Sequence, residues 1–148
     1  MPHALPSDSV TRAWIRLVRA QRQALLNIEA EIKAAGFPPL AWYDVLLELK
    51  RAGGSIRPQE IEARLLLAQH NVSRLIDRLT EAGLVERRPY AGDGRGQTIA
   101  ITAAGRDLQK RMWVVYGAAI QKYVGAPLGD DREAEALWEL LGRLTDDD

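Results

Sequence analysis

The sequence predicts a mainly helical α+β fold, with a small β-hairpin in its middle and long helices at both ends. Three observations predict it. Two short amphipathic segments flank a tight turn between positions 58 and 83. Directly after them, residues 84–101 place two short alternating segments around a glycine-rich loop. Outside this block, residues 8–35 and 102–145 carry apolar side chains at helical spacing.

The central block comes first. Pro58 suits the first position of a helix, where its missing N–H would have no partner anyway. Ile61 and Leu65 then share one face. Leu66-Leu67-Ala68 form an apolar turn. Val72, Leu75, Ile76 and Leu79 follow at i, i+3, i+4 and i+7, the stripe of a second helix. Its other face carries Gln69, His70, Asn71, Ser73, Arg74, Asp77 and Arg78. Gly83 is placed to end it. The segment from Leu84 to Arg88 fits a short strand, and Gln97-Thr98-Ile99-Ala100-Ile101 alternates like a half-buried one. Residues 89–96 between them hold Gly92, Asp93, Gly94, Arg95 and Gly96. Two helices about a turn, followed by a hairpin with a basic tip, make a winged helix-turn-helix over 55–101.

The rest of the chain is read as arms. Ser7 or Asp8 can cap a long first helix. Trp14, Val18, Leu25, Ile28, Ile32 and Ala35 lie near a heptad seam, with Gln21 at its polar position. Gly36 and the pair Pro38-Pro39 break it. A second helix presents Trp42, Val45, Leu46 and Leu49, and Gly53-Gly54 end it. Ser55-Ile56-Arg57 fit a third strand of the hairpin's sheet. Thr102 can cap another long helix through Leu108, Met112, Val115 and Ala119, with Gly125 and Pro127 as its stop. Asp130 and Glu133 form a start signal for a last helix, striped with Ala134, Leu137, Trp138, Leu141 and Leu144.

Composition sets bounds. The 148 residues suit one domain, residues 1–148, and are 47% apolar and 27% charged. With no cysteine, disulfides, thiol sensors and thiolate metal sites are excluded. No apolar run could span a membrane and no signal segment opens the chain, so a cytoplasmic location is expected. Net charge is zero, yet residues 64–96 hold six Arg against four acids, whereas residues 126–148 hold two Arg against eight acids. Placement matters more than the sum for a local field. No cofactor is expected. The two histidines, His3 and His70, offer no base beside a nucleophile and no spaced metal ligands, so neither catalysis nor a metal site is expected.

The central motifs resemble the multiple-antibiotic-resistance regulators, the MarR family. The segments that carry the resemblance are Ile61-Glu62-Ala63-Arg64-Leu65, Asn71-Val72-Ser73-Arg74-Leu75-Ile76-Asp77-Arg78-Leu79 and Gly83-Leu84-Val85-Glu86-Arg87-Arg88. After them come Asp93-Gly94-Arg95 and Ile101-Thr102-Ala103-Ala104-Gly105. Three positions depart from the family pattern. Leu66 stands where the turn usually has glycine, and Arg57 where Ser or Thr usually precedes Pro58. Ala68 stands where a serine caps the recognition helix, an expected cost of about 1 kcal/mol.

The resemblance implies a two-fold homodimer whose arms, 8–35 and 102–145, interlock. It implies a repressor of transcription that reads double-stranded DNA, with half-sites about one helical turn apart. On that basis Gln69 and Asn71 are expected to pair with adenine edges and Arg74 with guanine. Ser73 and His70 would touch phosphate or water, and Arg78 backbone. Arg87 and Arg88 alternate across the strand, so only one can face DNA, and Arg88 is taken as that one. In the family an Asp-x-Arg pair acts at the wing tip. Arg95 would enter the minor groove there, and Asp93 would orient the wing. A cleft between the arms and the reading head would take a small aromatic or anionic effector. Arg16, Trp42, Tyr43 and Trp113 are its candidate lining. The bland alternatives are a solvated helix face, surface charges and plain core aromatics. The rival function is a winged helix used for protein contacts without sequence-specific DNA binding.

Overall fold

The computed structural model describes residues 3–66, 71–90 and 96–146. Helix α1 (Asp8–Ala34) opens on Ser7, whose Oγ accepts the Val10 N–H at 3.2 Å. Helix α2 (Leu40–Arg51) begins after Pro39 and ends on Gly53 and Gly54, both at positive φ. Strand β1 (Ser55–Ile56), helix α3 (Pro58–Arg64) and helix α4 (Val72–Glu81) follow. Strands β2 (Val85–Pro89) and β3 (Gln97–Ile101) come next, then helices α5 (Ala103–Ile120), α6 (Ala126–Leu128) and α7 (Asp131–Gly142). A π-helical turn, Gln121–Gly125, joins α5 to α6.

Two compact units divide the chain: residues 32–115, and residues 1–31 with 116–148. In the first, the described strands form an antiparallel sheet in the order β1-β3-β2. Its register pairs Ser55 with Ala100 and Val85 with Ile101. Leu46, Leu49, Ile61, Ile76, Leu79, Val85, Ile99 and Met112 are fully buried. The 3.6-residue stripes of the helices and the two-residue alternation of β3 thus meet in one core.

Buried polar groups in this unit are paired. Gln109, on α5, donates to the Tyr43 hydroxyl at 3.3 Å and accepts from Lys50 Nζ at 3.2 Å. Among the described residues no buried side-chain polar atom lacks a partner.

In the second unit, Glu31 accepts hydrogen bonds from Lys122 Nζ at 2.9 Å and from the Tyr123 hydroxyl at 2.8 Å. The bond from Lys122, then that from Tyr123, holds the Glu31 carboxyl below its ordinary pKa. The same carboxylate holds Lys122 above its own. Both groups therefore favour the folded chain between the two titrations. A depressed carboxyl loses its contribution as pH falls through its folded pKa, and a raised ammonium as pH rises through its own. Glu31→Gln is expected to flatten both limbs of a plot of melting temperature against pH. Unchanged limbs would show that the network is not formed in solution.

One expectation is corrected. The long helix does not stop at Gly125 and Pro127: a π turn carries the chain on to Leu128, and Gly129, at φ 90°, ends it. Proline lacks an N–H and its ring crowds the carbonyl four residues back, and the wider π turn relieves that conflict. The N-terminal half of the α1 seam is open to solvent in the chain by itself, with Trp14 64% exposed, whereas Ile28 and Ile32 are buried. The α7 stripe is likewise exposed, Trp138 at 74%.

Candidate nucleic-acid interface

Helix α4 is held by Leu75, Ile76 and Leu79, all buried, and turns Ser73, Arg74, Asp77 and Arg78 outward. Its end is fixed by backbone geometry. The Gly83 N–H bonds the Thr80 carbonyl at 3.0 Å and the Leu84 N–H bonds the Leu79 carbonyl at 3.0 Å. Gly83 sits at φ 75°, as this closing motif requires. Thr102 fastens the same corner, since its Oγ1 donates to the Gly83 carbonyl at 2.7 Å and its N–H to the Leu84 carbonyl at 3.1 Å. The Thr102 Oγ1 also caps α5 by accepting the Gly105 N–H at 3.1 Å. The end of α4, the start of β2 and the start of α5 therefore share one junction.

The start of α4 departs from expectation. The helix begins at Val72, not near Ala68, and its cap is Asn71, whose Oδ1 accepts the Arg74 N–H at 2.9 Å. Ala68 lies outside the described residues. Asparagine is among the best caps, and its amide here satisfies an N–H that would otherwise be orphaned. One of the two lone pairs of the Asn71 amide oxygen is thereby taken up by the helix start. Asn71→Ala is expected to cost about 1 kcal/mol in urea unfolding, while Asn71→Ser costs little. Equal losses for both would rule out the capping role.

On β2, Arg87 and Arg88 separate to opposite faces. Arg87 reaches α4 and pairs with Asp77 at 2.5 Å, with Gln97 Oε1 at 3.4 Å beside it. Arg88 pairs with Glu86, two residues back on its own face, and its Nε lies 2.6 Å from Glu86 Oε1. Among the described residues, Arg74 and Arg78 make no ion pair. Arg57, ahead of α3, lies over the Tyr90 ring at 4.7 Å, a brace at the base of the hairpin. Gln69, His70, Asp93 and Arg95 lie outside the described residues.

The effector candidates are distributed between the units. Tyr43 is 4% exposed and stacks on Trp113 at 6.4 Å between ring centroids, so it belongs to the core of its unit. Trp113 is half exposed and Trp42 half buried. Arg16 belongs to the other unit and lines an open groove on α1 with Arg12, Arg19 and Gln23. No group of metal-binding side chains occurs among the described residues.

The pattern missed Asn71 as a cap, Arg87 as a cross-link and Gln109 as a buried hinge of hydrogen bonds. An asparagine three residues before an arginine carries no capping-box signature. Arg87 could have been found from the alternation of β2, which puts it on the face of Val85.

Two helices about a turn, closed by this sheet, define a winged helix-turn-helix protein. The family model described as "MarR family" matches residues 35–96. The chain is 30% identical over 104 residues to the HTH-type transcriptional regulator PecS of Dickeya dadantii (strain 3937), an alignment spanning 69% of this chain and 61% of that regulator. The MarR-family regulator Sco3205 of Streptomyces coelicolor, solved in complex with DNA, superposes with a TM-score of 0.84 at 19% identity, over 97% of this chain and 89% of that one. The organohalide-sensing regulator RdhR-CbdbA1625, solved with 2,4-dichlorophenol bound, gives 0.75 at 16% identity, over 97% and 86%. Residues 35–96 thus carry the MarR-family pattern, and the fold is the one seen in MarR-family regulators.

Proposed function

We propose that the chain is a sequence-specific regulator of transcription that binds double-stranded DNA as a homodimer and represses from an inverted-repeat operator. The observation that carries this is the outward face of α4, where Arg74 and Arg78 project, without ion-pair partners among the described residues, from a helix locked at both ends. A guanidinium on a rigid helix can read guanine O6 and N7 through two parallel bonds. The DNA-bound relative Sco3205 supports the same use of the fold. The exposed apolar stripes of α1 and α7 support a second copy as their cover, since one chain leaves Trp14, Trp138 and Leu144 in water.

A small aromatic or anionic ligand is proposed as the releasing signal, by analogy with the dichlorophenol-bound relative. Such a ligand changes DNA affinity only if it prefers one spacing of the two heads. The test is selection from random double-stranded DNA at two salt concentrations. An enriched inverted repeat with half-sites about one turn apart is expected. Binding without an enriched motif at either salt would refute sequence-specific reading.

The second reading is a protein-contact module. It draws on the pairing of Arg87 with Asp77 and of Arg88 with Glu86, which removes positive charge from the hairpin. Salt-insensitive behaviour on heparin would favour it.

A further inference from the structure

We infer that Arg87 is a positioning residue: by closing on Asp77 it fixes the angle between the wing and the recognition helix, and so lets both meet DNA at once. The inference rests on the lobe being a DNA reader. It begins from an acid in an unexpected place. Asp77 lies on the outward face of α4, its side chain 60% exposed, three residues after Arg74 and next to Arg78. A carboxylate on a surface that meets phosphates opposes binding by simple Coulomb repulsion. Here it does not stand alone. The Arg87 guanidinium, itself 34% exposed, lies 2.5 Å from Asp77 Oδ1.

The geometry gives the pair a second role. Arg87 sits opposite Ile99 in the sheet register, at the middle of the hairpin, and also donates to Gln97 Oε1 at 3.4 Å on the neighbouring strand. One planar group therefore touches α4, β2 and β3. Its fork of fixed donors suits such bridging in a way that a lysine ammonium does not. Because Asp77 consumes it, Arg87 is not a free phosphate ligand. The pair adds no net charge to the reading face. What it supplies is a fixed distance between the helix and the hairpin.

The sign of one substitution separates this from plain electrostatics. Asp77→Ala removes an acid and frees an arginine, so by charge alone it should tighten DNA binding. If the pair positions the wing, the same change weakens binding. The experiment uses the full chain and a selected DNA site, and measures Kd and its salt dependence for wild type, Asp77→Ala, Arg87→Ala and the double variant. Each single variant is expected to lose about tenfold in affinity, and the double variant no more than the worse single, the signature of one coupled unit. Asp77→Asn, which keeps the shape and an acceptor oxygen, should recover part of the loss. Exposed ion pairs contribute little to folding, so melting temperatures should stay near wild type and exclude unfolding as the cause.

Tighter or unchanged binding by Asp77→Ala, or losses that multiply in the double variant, would overturn the inference while leaving DNA reading intact. A fall of about one in the salt slope for Arg87→Ala alone would do the same, because it marks a direct phosphate contact. Failure of the wild-type protein to bind any double-stranded DNA would overturn both.

Discussion

Replacing Gly105 by alanine is expected to destabilise the protein strongly. A Cβ at this position would lie 2.2 Å from the Leu84 carbonyl oxygen and 2.9 Å from Ile101 Cγ1. The first of these is backbone, fixed by its bond from the Thr102 N–H. Nothing flexible can yield, so the start of α5 must move off the corner where α4 ends and β2 begins. Overpacking of this kind costs about 3 kcal/mol. For a chain of this size that lowers the melting temperature by roughly 6 to 12 °C. Gly142→Ala is the control, since a Cβ there meets nothing within 4 Å. It should leave stability unchanged or raise it by about 0.5–1 kcal/mol. Equal melting temperatures for the two variants would refute the steric account.

Arg74→Ala should produce the largest loss of discrimination between DNA sequences. Its guanidinium leaves α4 one turn from the capped start, exposed and without an ion-pair partner among the described residues. Loss of one bidentate guanine contact costs about 1–3 kcal/mol, at a single position of the site. Competition titrations against sites varied at each position should show one base pair losing its preference. Arg78→Ala is expected to behave differently, weakening all sequences alike and lowering the salt slope by about one. An Arg74→Ala protein with unaltered preference at every position would remove Arg74 from the reading set.

The sequence made the central lobe legible because its signals are local and redundant. Pro58 at a helix start, the spacing of Leu75, Ile76 and Leu79, and Gly83 at φ 75° each fix one feature, and the structure carries all of them. The alternation of Gln97-Thr98-Ile99-Ala100-Ile101 set β3 to the residue. Asp130 caps the last helix through the Glu133 N–H at 3.0 Å, as its spacing predicted.

What escaped depends on pairs far apart in sequence or on competing local preferences. The start of α4 went astray because a turn of unknown length precedes it, and the stripe alone does not say which polar residue caps. Pro127 reads as a stop, yet the π turn makes room for it. The Arg87 clamp needs α4 and β2 already placed side by side, a tertiary fact. Among the candidate contacts, Ser73, Arg74 and Arg78 share the outward face of α4, and Arg88 sits on the hairpin paired with Glu86.

The shortest strand has a consequence for how the lobe forms. Ser55 and Ile56 close onto Ala100 and Ile99, so the sheet is completed only when the two limits of the lobe meet. The whole helix-turn-helix lies inside that closed loop. The entropy of bringing its ends together is spent before the pairing returns anything. Local helix formation in α3 and α4 is therefore fast but unrewarded, and the non-local β1–β3 pairing is the slow, committing event. A nascent chain emerging from the ribosome cannot own a finished reading head until β3 has left the exit tunnel. The lobe is thus acquired in one step rather than helix by helix.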